Sequence, residues 1–210
     1  MIALLNLPKP SDDLLTTIIQ HIDTLQINND AKKYYDHTQN GNINCSEGQI
    51  FLLPRSIYIS VLKEFYPYIK NRFDASIGIF KNTNTTKLSY LPPHIDSTRT
   101  LTLNYIINEG GENTLTTMYK MCSPKLTKAH DIQMIPYKNL EVEFSVKTVK
   151  GNWYVTDVQN YHSVDNIETQ RIILSISFSY INYSYFKTKY SNLIVNEWLP
   201  YVGSNHGHFD

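Results

Sequence analysis

The feature that most constrains this chain is a change of hydrophobic period at Ser76. Beyond it, apolar residues recur every second position in short runs rich in Ile, Thr, Val and Tyr, punctuated by Gly, Asn and Pro. In the run from Thr100 to Ile107, Leu101, Leu103, Tyr105 and Ile107 fall on one face and Thr100, Thr102 and Asn104 on the other. The run from Arg171 repeats this, with Ile172, Leu174, Ile176 and Phe178 opposite Arg171, Ser175, Ser177 and Ser179. One face is built for a core. The polar face turns either to water or into a ligand cavity.

The pattern predicts eight strands: Ser76 to Lys81, Lys87 to Ile95, Thr100 to Ile107, Thr114 to Met121, Leu140 to Val149, Asn152 to Asp157, Val158 to Ser163 and Arg171 to Tyr180. A mainly β domain of this kind suits a jelly roll or double-stranded β-helix, cupin-like in plan. Before it the period is helical. Ser11, Asp12 and Asp13 open a segment whose Leu14, Leu15, Ile18, Ile19, Ile22 and Leu25 share one stripe. A second helix follows Pro54, carrying Ile57, Val61, Leu62, Phe65 and Ile69, and Pro67 bends or ends it. Both are expected to pack outside the sheet. The 210 residues are of a size that folds as one domain: a helical part of about 1–75, a β core of about 76–180 and a C-terminal extension of 181–210.

Charge narrows the partners. Lys plus Arg and Asp plus Glu number 19 each, so no net field draws nucleic acid or an anionic membrane. No apolar run reaches membrane-spanning length, and the N-terminus lacks the basic start and cleavage site of a leader. The two cysteines, Cys45 and Cys122, form no CxxC pair, which fits a reducing compartment and neither a zinc site nor a disulfide framework. Nothing in the sequence fixes an oligomeric state.

The chemistry-bearing residues are Pro92-Pro93-His94-Ile95-Asp96, then Tyr161-His162-Ser163, then Arg171. Residues two apart in a strand share a face, so His94 and Asp96 present a nitrogen and an oxygen to one ion, and His162 supplies a third donor from a distant strand. Two imidazoles and a carboxylate form the facial triad that leaves positions open on non-haem Fe(II). The chain carries its own control in His21-Ile22-Asp23. That tripeptide lies in the first helix, where residues two apart point about 200° from each other and cannot chelate one ion.

On these residues the chain resembles the Fe(II)- and 2-oxoglutarate-dependent oxygenases, whose pattern is HxD, a distal His, and an Arg or Lys on the next strand. The runs HIDSTRTLTLNY, ENTLTTMY, YHSVDN and RIILSISF are similar to small oxygenases of phage and marine bacterial genomes, prolyl-hydroxylase-like members included. The resemblance spans about Ser76 to Tyr180. It implies Fe(II) on His94, Asp96 and His162, with 2-oxoglutarate and O2 as co-substrates. It also implies that Arg171 pairs with the distal carboxylate of 2-oxoglutarate, a match of guanidinium to carboxylate fork.

Ser175 shares Arg171's face and is a further candidate contact. The family's usual hydroxyl, two positions after the Arg, is replaced here by Ile173. Asn104, Tyr119 and Tyr90 are candidate contacts to 2-oxoglutarate or substrate. The implied reaction is hydroxylation of an unactivated C–H bond, with release of succinate and CO2. The substrate expected by analogy is a peptidyl or free amino acid, or another small molecule, in the cytoplasm of a bacterium or phage-infected host. The carboxylate of Asp96 favours hydroxylation over halogenation, and a single Arg after the distal His disfavours nucleic-acid demethylation. Two other classes fit the same pattern: a non-catalytic jelly-roll binding or structural protein, and a cupin-type metalloenzyme that does not use 2-oxoglutarate.

Two segments stand apart. Cys122 to Asn139 is long for a loop and is a candidate lid. His206, His208 and Asp210 close the chain as a His-rich tail.

Overall fold

In a computed structural model, residues 1–25, 47–81, 89–96, 98–121, 127–129, 132–134 and 140–198 are described. The His-rich tail lies outside them, as does most of 122–139.

The helices form where the stripes predict. Helix α1 spans Asp12–Thr24, and its N-cap Ser11 accepts the Leu14 amide hydrogen at 3.2 Å, with Asp12 and Asp13 against the positive end of the helix dipole. Leu14, Ile18 and Ile22 are its buried face. Helix α2, Arg55–Phe65, buries Ile57, Val61 and Phe65.

Strands β1 (Ile2–Leu5), β2 (Glu47–Leu52), β3 (Asp74–Lys81), β5 (Leu101–Glu109), β10 (Trp153–Asp157), β12 (Arg171–Phe178) and β13 (Ile194–Trp198) make a seven-stranded sheet in the order β13-β1-β10-β5-β12-β3-β2. Strands β4 (Ser89–Asp96), β6 (Leu115–Met121), β7 (Thr127–Ala129), β8 (Ile132–Met134), β9 (Leu140–Val146) and β11 (His162–Ile167) make a six-stranded sheet in the order β7-β8-β4-β11-β6-β9. Successive core strands cross between the sheets except at β6 and β9, which pair with each other: β3, β5, β10 and β12 lie in one sheet, β4, β6, β9 and β11 in the other. All pairings are antiparallel. This is a double-stranded β-helix.

The alternation read at β5 and β12 has its meaning here. Leu101, Leu103, Tyr105, Leu174, Ile176 and Phe178 pack with Trp153, Val155 and the buried faces of α1 and α2 into the main core, on the outer side of the large sheet. Phe65 meets Trp153 edge-on, with ring centroids 5.0 Å apart, and Trp153 Nε1 donates to the Pro8 carbonyl at 2.9 Å. The opposite, partly polar side therefore faces the small sheet. There Ile2, Ile106, Met118, Val146 and Tyr154 pack across the gap.

Two expectations need correction. The part expected to be helical also holds β1, apolar throughout, and β2, Glu-Gly-Gln followed by three apolar residues, and neither run alternates with a period of two. The segment Val158 to Ser163 is not a strand: Asp157 Oδ1 accepts the Gln159 amide hydrogen at 3.2 Å and closes a turn, so β11 starts at His162 instead of ending beside it. Pro92 and Pro93 lie within β4, inside the strand expected from Lys87 to Ile95. Proline has no N–H for the ladder, and the β4–β11 register slips there, between His162↔His94 and Val164↔Leu91.

Phe65 is fully buried against Trp153. Phe65→Ala is expected to cost about 3–5 kcal/mol of unfolding free energy, read as a lower urea midpoint at unchanged slope. A loss under about 1 kcal/mol would contradict the packing described.

Candidate metal centre

His94 and His162 are directly opposite each other in the β4–β11 ladder, and Asp96 is two residues along β4 on the same side. Met118, opposite His162 on β6, belongs to the cluster between the sheets, so this side is the interior. All three residues are buried. Their donor atoms lie within 4.8 Å of one another, His94 Nε2 stands 3.7 Å from Asp96 Oδ1, and the imidazole centroids are 4.3 Å apart. His21 and Asp23 stay apart from this, on α1.

Burial sets the protonation. Desolvation first, and then the neighbouring His94, lower the His162 pKa to about 3, so its imidazole is neutral at physiological pH. Its Nδ1 lies 2.9 Å from the Asn160 carbonyl oxygen. A carbonyl only accepts, so Nδ1 carries the hydrogen and the Nε2 lone pair is directed elsewhere, as a metal-ligating histidine requires. Two imidazoles and a carboxylate around one point suit a divalent ion of the Fe(II) class.

The same interior side of the large sheet leads away from this end of the barrel. Thr102 is opposite Ser177, Asn104 opposite Ser175, Ile106 opposite Ile173, and Arg171 stands at the far end. Arg171 is buried, and burial draws its pKa down to about 10, so it remains a cation. Its Nη1 donates to the Glu109 carbonyl at 2.8 Å and its Nη2 to Thr148 Oγ1 at 2.9 Å. Its Nε is buried with no hydrogen-bond partner. No described carboxylate forms an ion pair with it. A buried cation with an unspent N–H fits an anionic ligand, and in this respect the site accommodates 2-oxoglutarate. Gly110, at φ +90°, lets the β5–β6 turn pass here, since a Cβ would come 2.8 Å from Arg171 Cβ.

The remaining candidates separate. Ser175 Oγ donates to Asn104 Oδ1 at 2.6 Å, and Asn104 Nδ2 donates to Thr102 Oγ1 at 3.1 Å, a polar patch on the interior side. Ser175 is thus engaged with Asn104, and the hydroxyl beside Arg171 is that of Thr148. Tyr119 alternates with Met118 and points to the outer side of the small sheet. There its hydroxyl meets Ser163 Oγ at 2.8 Å, and Ser163 in turn donates to Asp165 Oδ2 at 2.7 Å. Tyr119 does not share a side with the triad. The Tyr90 side chain lies outside the described residues.

Two contacts to the centre have no sequence motif. Arg99 Nη2 lies 2.6 Å from Asp96 Oδ2, and Gln159 Nε2 donates to the Asp96 and Arg99 carbonyls at 2.9 and 2.6 Å. The nearness of Arg99 to Asp96 was the only available signal. Within the expected lid, β8 pairs beside the ligands, His94↔Met134 and Asp96↔Ile132. A cavity of about 350 Å³ is lined by Ile95, Tyr119, Asn160 and Tyr161 together with Met1 and Asp157.

No protein-family model matches this chain, and no curated protein does. Among solved structures it is similar to Escherichia coli ycfD at 13% identity (75% of this chain, 39% of that chain, TM-score 0.43) and to a Pseudomonas putida prolyl-4-hydroxylase at 12% (85% and 91%, TM-score 0.40). It is also similar to an oxalate oxidase at 14% (70% and 57%, TM-score 0.35). The chain thus spans 39% and 57% of the ycfD and oxalate oxidase chains. At these scores the fold rests on strand order and the site on its donor set. No described helix is long and apolar enough to cross a membrane, which says nothing of a β-barrel.

The lowered His162 pKa has a sign. Between pH 6.5 and about 3 the unfolded chain holds a proton on His162 that the folded metal-free protein does not. Stability is therefore present above pH 6.5 and lost as pH falls through that window. Denaturant titrations of the metal-free protein at pH 7 and pH 5 are expected to show uptake of about one proton fewer on unfolding for His162→Gln than for wild type. Equal pH slopes would contradict a neutral buried His162.

Proposed function

We propose that this protein is an Fe(II)- and 2-oxoglutarate-dependent dioxygenase that hydroxylates a C–H bond of a small-molecule or peptidyl substrate. The observation that carries the reading is the pairing of two features within one β-helix: a buried His-Asp-His cluster at one end and, at the other, a buried arginine whose Nε has no hydrogen-bond partner and which no described carboxylate pairs with. A cupin-type metal site needs only the first. The second adds a counter-charge for a dianionic co-substrate.

His94, Asp96 and His162 would hold the iron, and Arg171, supported by Thr148 and the Glu109 carbonyl, would bind the distal carboxylate of 2-oxoglutarate. When bound, the iron and 2-oxoglutarate together supply the oxidant, with succinate and CO2 as by-products. The chain's own contribution is positional. The neutral His162 imidazole leaves its Nε2 lone pair available, the Asn160 carbonyl fixes the His162 ring, and the Asn104–Ser175 pair keeps the interior side of the large sheet polar between the two ends. The apolar cluster around Ile106, Met118 and Tyr154 keeps bulk water from the interior.

The substrate class, an amino-acid side chain free or in a peptide, follows the prolyl-hydroxylase resemblance, and zero net charge speaks against nucleic acid. A cytoplasmic setting belongs to the same proposal.

With Fe(II), ascorbate and a panel of amino acids and peptides, the protein is expected to convert labelled 2-oxoglutarate to succinate. Arg171→Ala is expected to weaken 2-oxoglutarate binding by about 2–4 kcal/mol, the cost of losing a buried charged hydrogen-bond partner, and to leave metal uptake intact. Metal uptake without any 2-oxoglutarate binding in wild type would favour the cupin-type reading. Neither metal nor 2-oxoglutarate binding would favour a structural jelly roll.

A further inference from the structure

Asp96 has two carboxylate oxygens in different surroundings. Oδ1 lies 3.7 Å from His94 Nε2, on the side of the imidazoles. Oδ2 lies 2.6 Å from Arg99 Nη2, an ion pair without the alignment of a hydrogen bond, since Oδ2 is buried with no hydrogen-bond partner. Arg99 is three residues beyond Asp96, past the end of β4 and just before β5.

Gln159, in the turn before His162, uses one amide nitrogen to bridge the Asp96 and Arg99 carbonyls at 2.9 and 2.6 Å. The Asp96 amide hydrogen goes to the Val158 carbonyl at 3.0 Å. The backbone at Asp96 and at Arg99 is thus clamped to the segment that delivers His162.

We infer that Arg99 and Gln159 are positioning residues that present Asp96 to the metal through Oδ1 alone, with Oδ2 withheld by the guanidinium. The consequence is a coordination site kept open. A carboxylate free to bind through both oxygens would take a position that a bidentate co-substrate needs, and the bound Arg99 prevents this. Arg99 also offsets the carboxylate charge in a buried site, where an unpaired anion is costly. This inference rests on the metal-centre reading above.

The test uses the full chain loaded with Co(II), whose visible absorption reports coordination number without turnover. Arg99→Met is expected to change the Co(II) spectrum toward higher coordination and to weaken 2-oxoglutarate binding to the Co(II)-loaded protein about tenfold or more. Gln159→Leu should act in the same direction and less strongly. Arg99→Lys, which keeps the charge, should restore most of the wild-type spectrum. Wild-type spectra and 2-oxoglutarate affinities in Arg99→Met and Gln159→Leu would overturn the positioning role alone. So would a lowered melting temperature of the metal-free variants with no spectral change, the mark of a purely structural role. A wild-type protein that takes up no Co(II) would overturn the metal-centre reading and this inference with it.

Discussion

The register between β4 and β11 is the constraint on which the rest depends. It sets His162 opposite His94, and the strand period of two then brings Asp96 to the same side. A slip of one residue would turn His162 outward, where Tyr161 and Ser163 now lie. The register is secured at both edges of the site: β8 pairs with His94 and Asp96 on one flank of β4, and β6 pairs with His162 on the far flank of β11. The ladder irregularity forced by Pro92 and Pro93 falls on the other side of His94, so the ligand end stays regular.

Placing the main hydrophobic core outside the β-helix leaves part of its interior for chemistry. The large sheet gives its greasier side to α1 and α2, and Phe65 and Trp153 anchor that layer. The interior side then tolerates Thr102, Asn104, Ser175 and a buried Arg171, each engaged except for the Arg171 Nε. Buried polar groups are kept where they are paired. Arg171 Nε, Asp96 Oδ2 and Ser177 Oγ are the departures from that economy among the described residues, and the first two belong to the residues proposed to hold 2-oxoglutarate and iron.

Strand alternation made the sheet legible, because Leu101, Leu103 and Tyr105 obey a period that no helix shares. His94 and Asp96 were legible for the same reason, and His21 and Asp23 were rejected on the helical period around them. Less was legible where tertiary pairing decides. Strand β1 is four residues long and joins β10 and β13 only in three dimensions. Local strand propensity carried the run at Val158 too far toward Asp157, because the Asp157 side chain closes a turn that propensity does not record. Tyr119 was placed by strand membership alone, and its parity with Tyr161 sends it to the outer side. Gln159 and Thr148 carry no motif, and only folding brings them to Asp96 and Arg171.

The claim that binds these observations is that one ion and one 2-oxoglutarate occupy the interior together. The most direct measurement is anaerobic visible absorption of the purified protein titrated with Fe(II) and 2-oxoglutarate. The account predicts a weak charge-transfer band that needs both components and is absent from His94→Ala. A colourless wild-type protein with both components present at saturating concentration would contradict it.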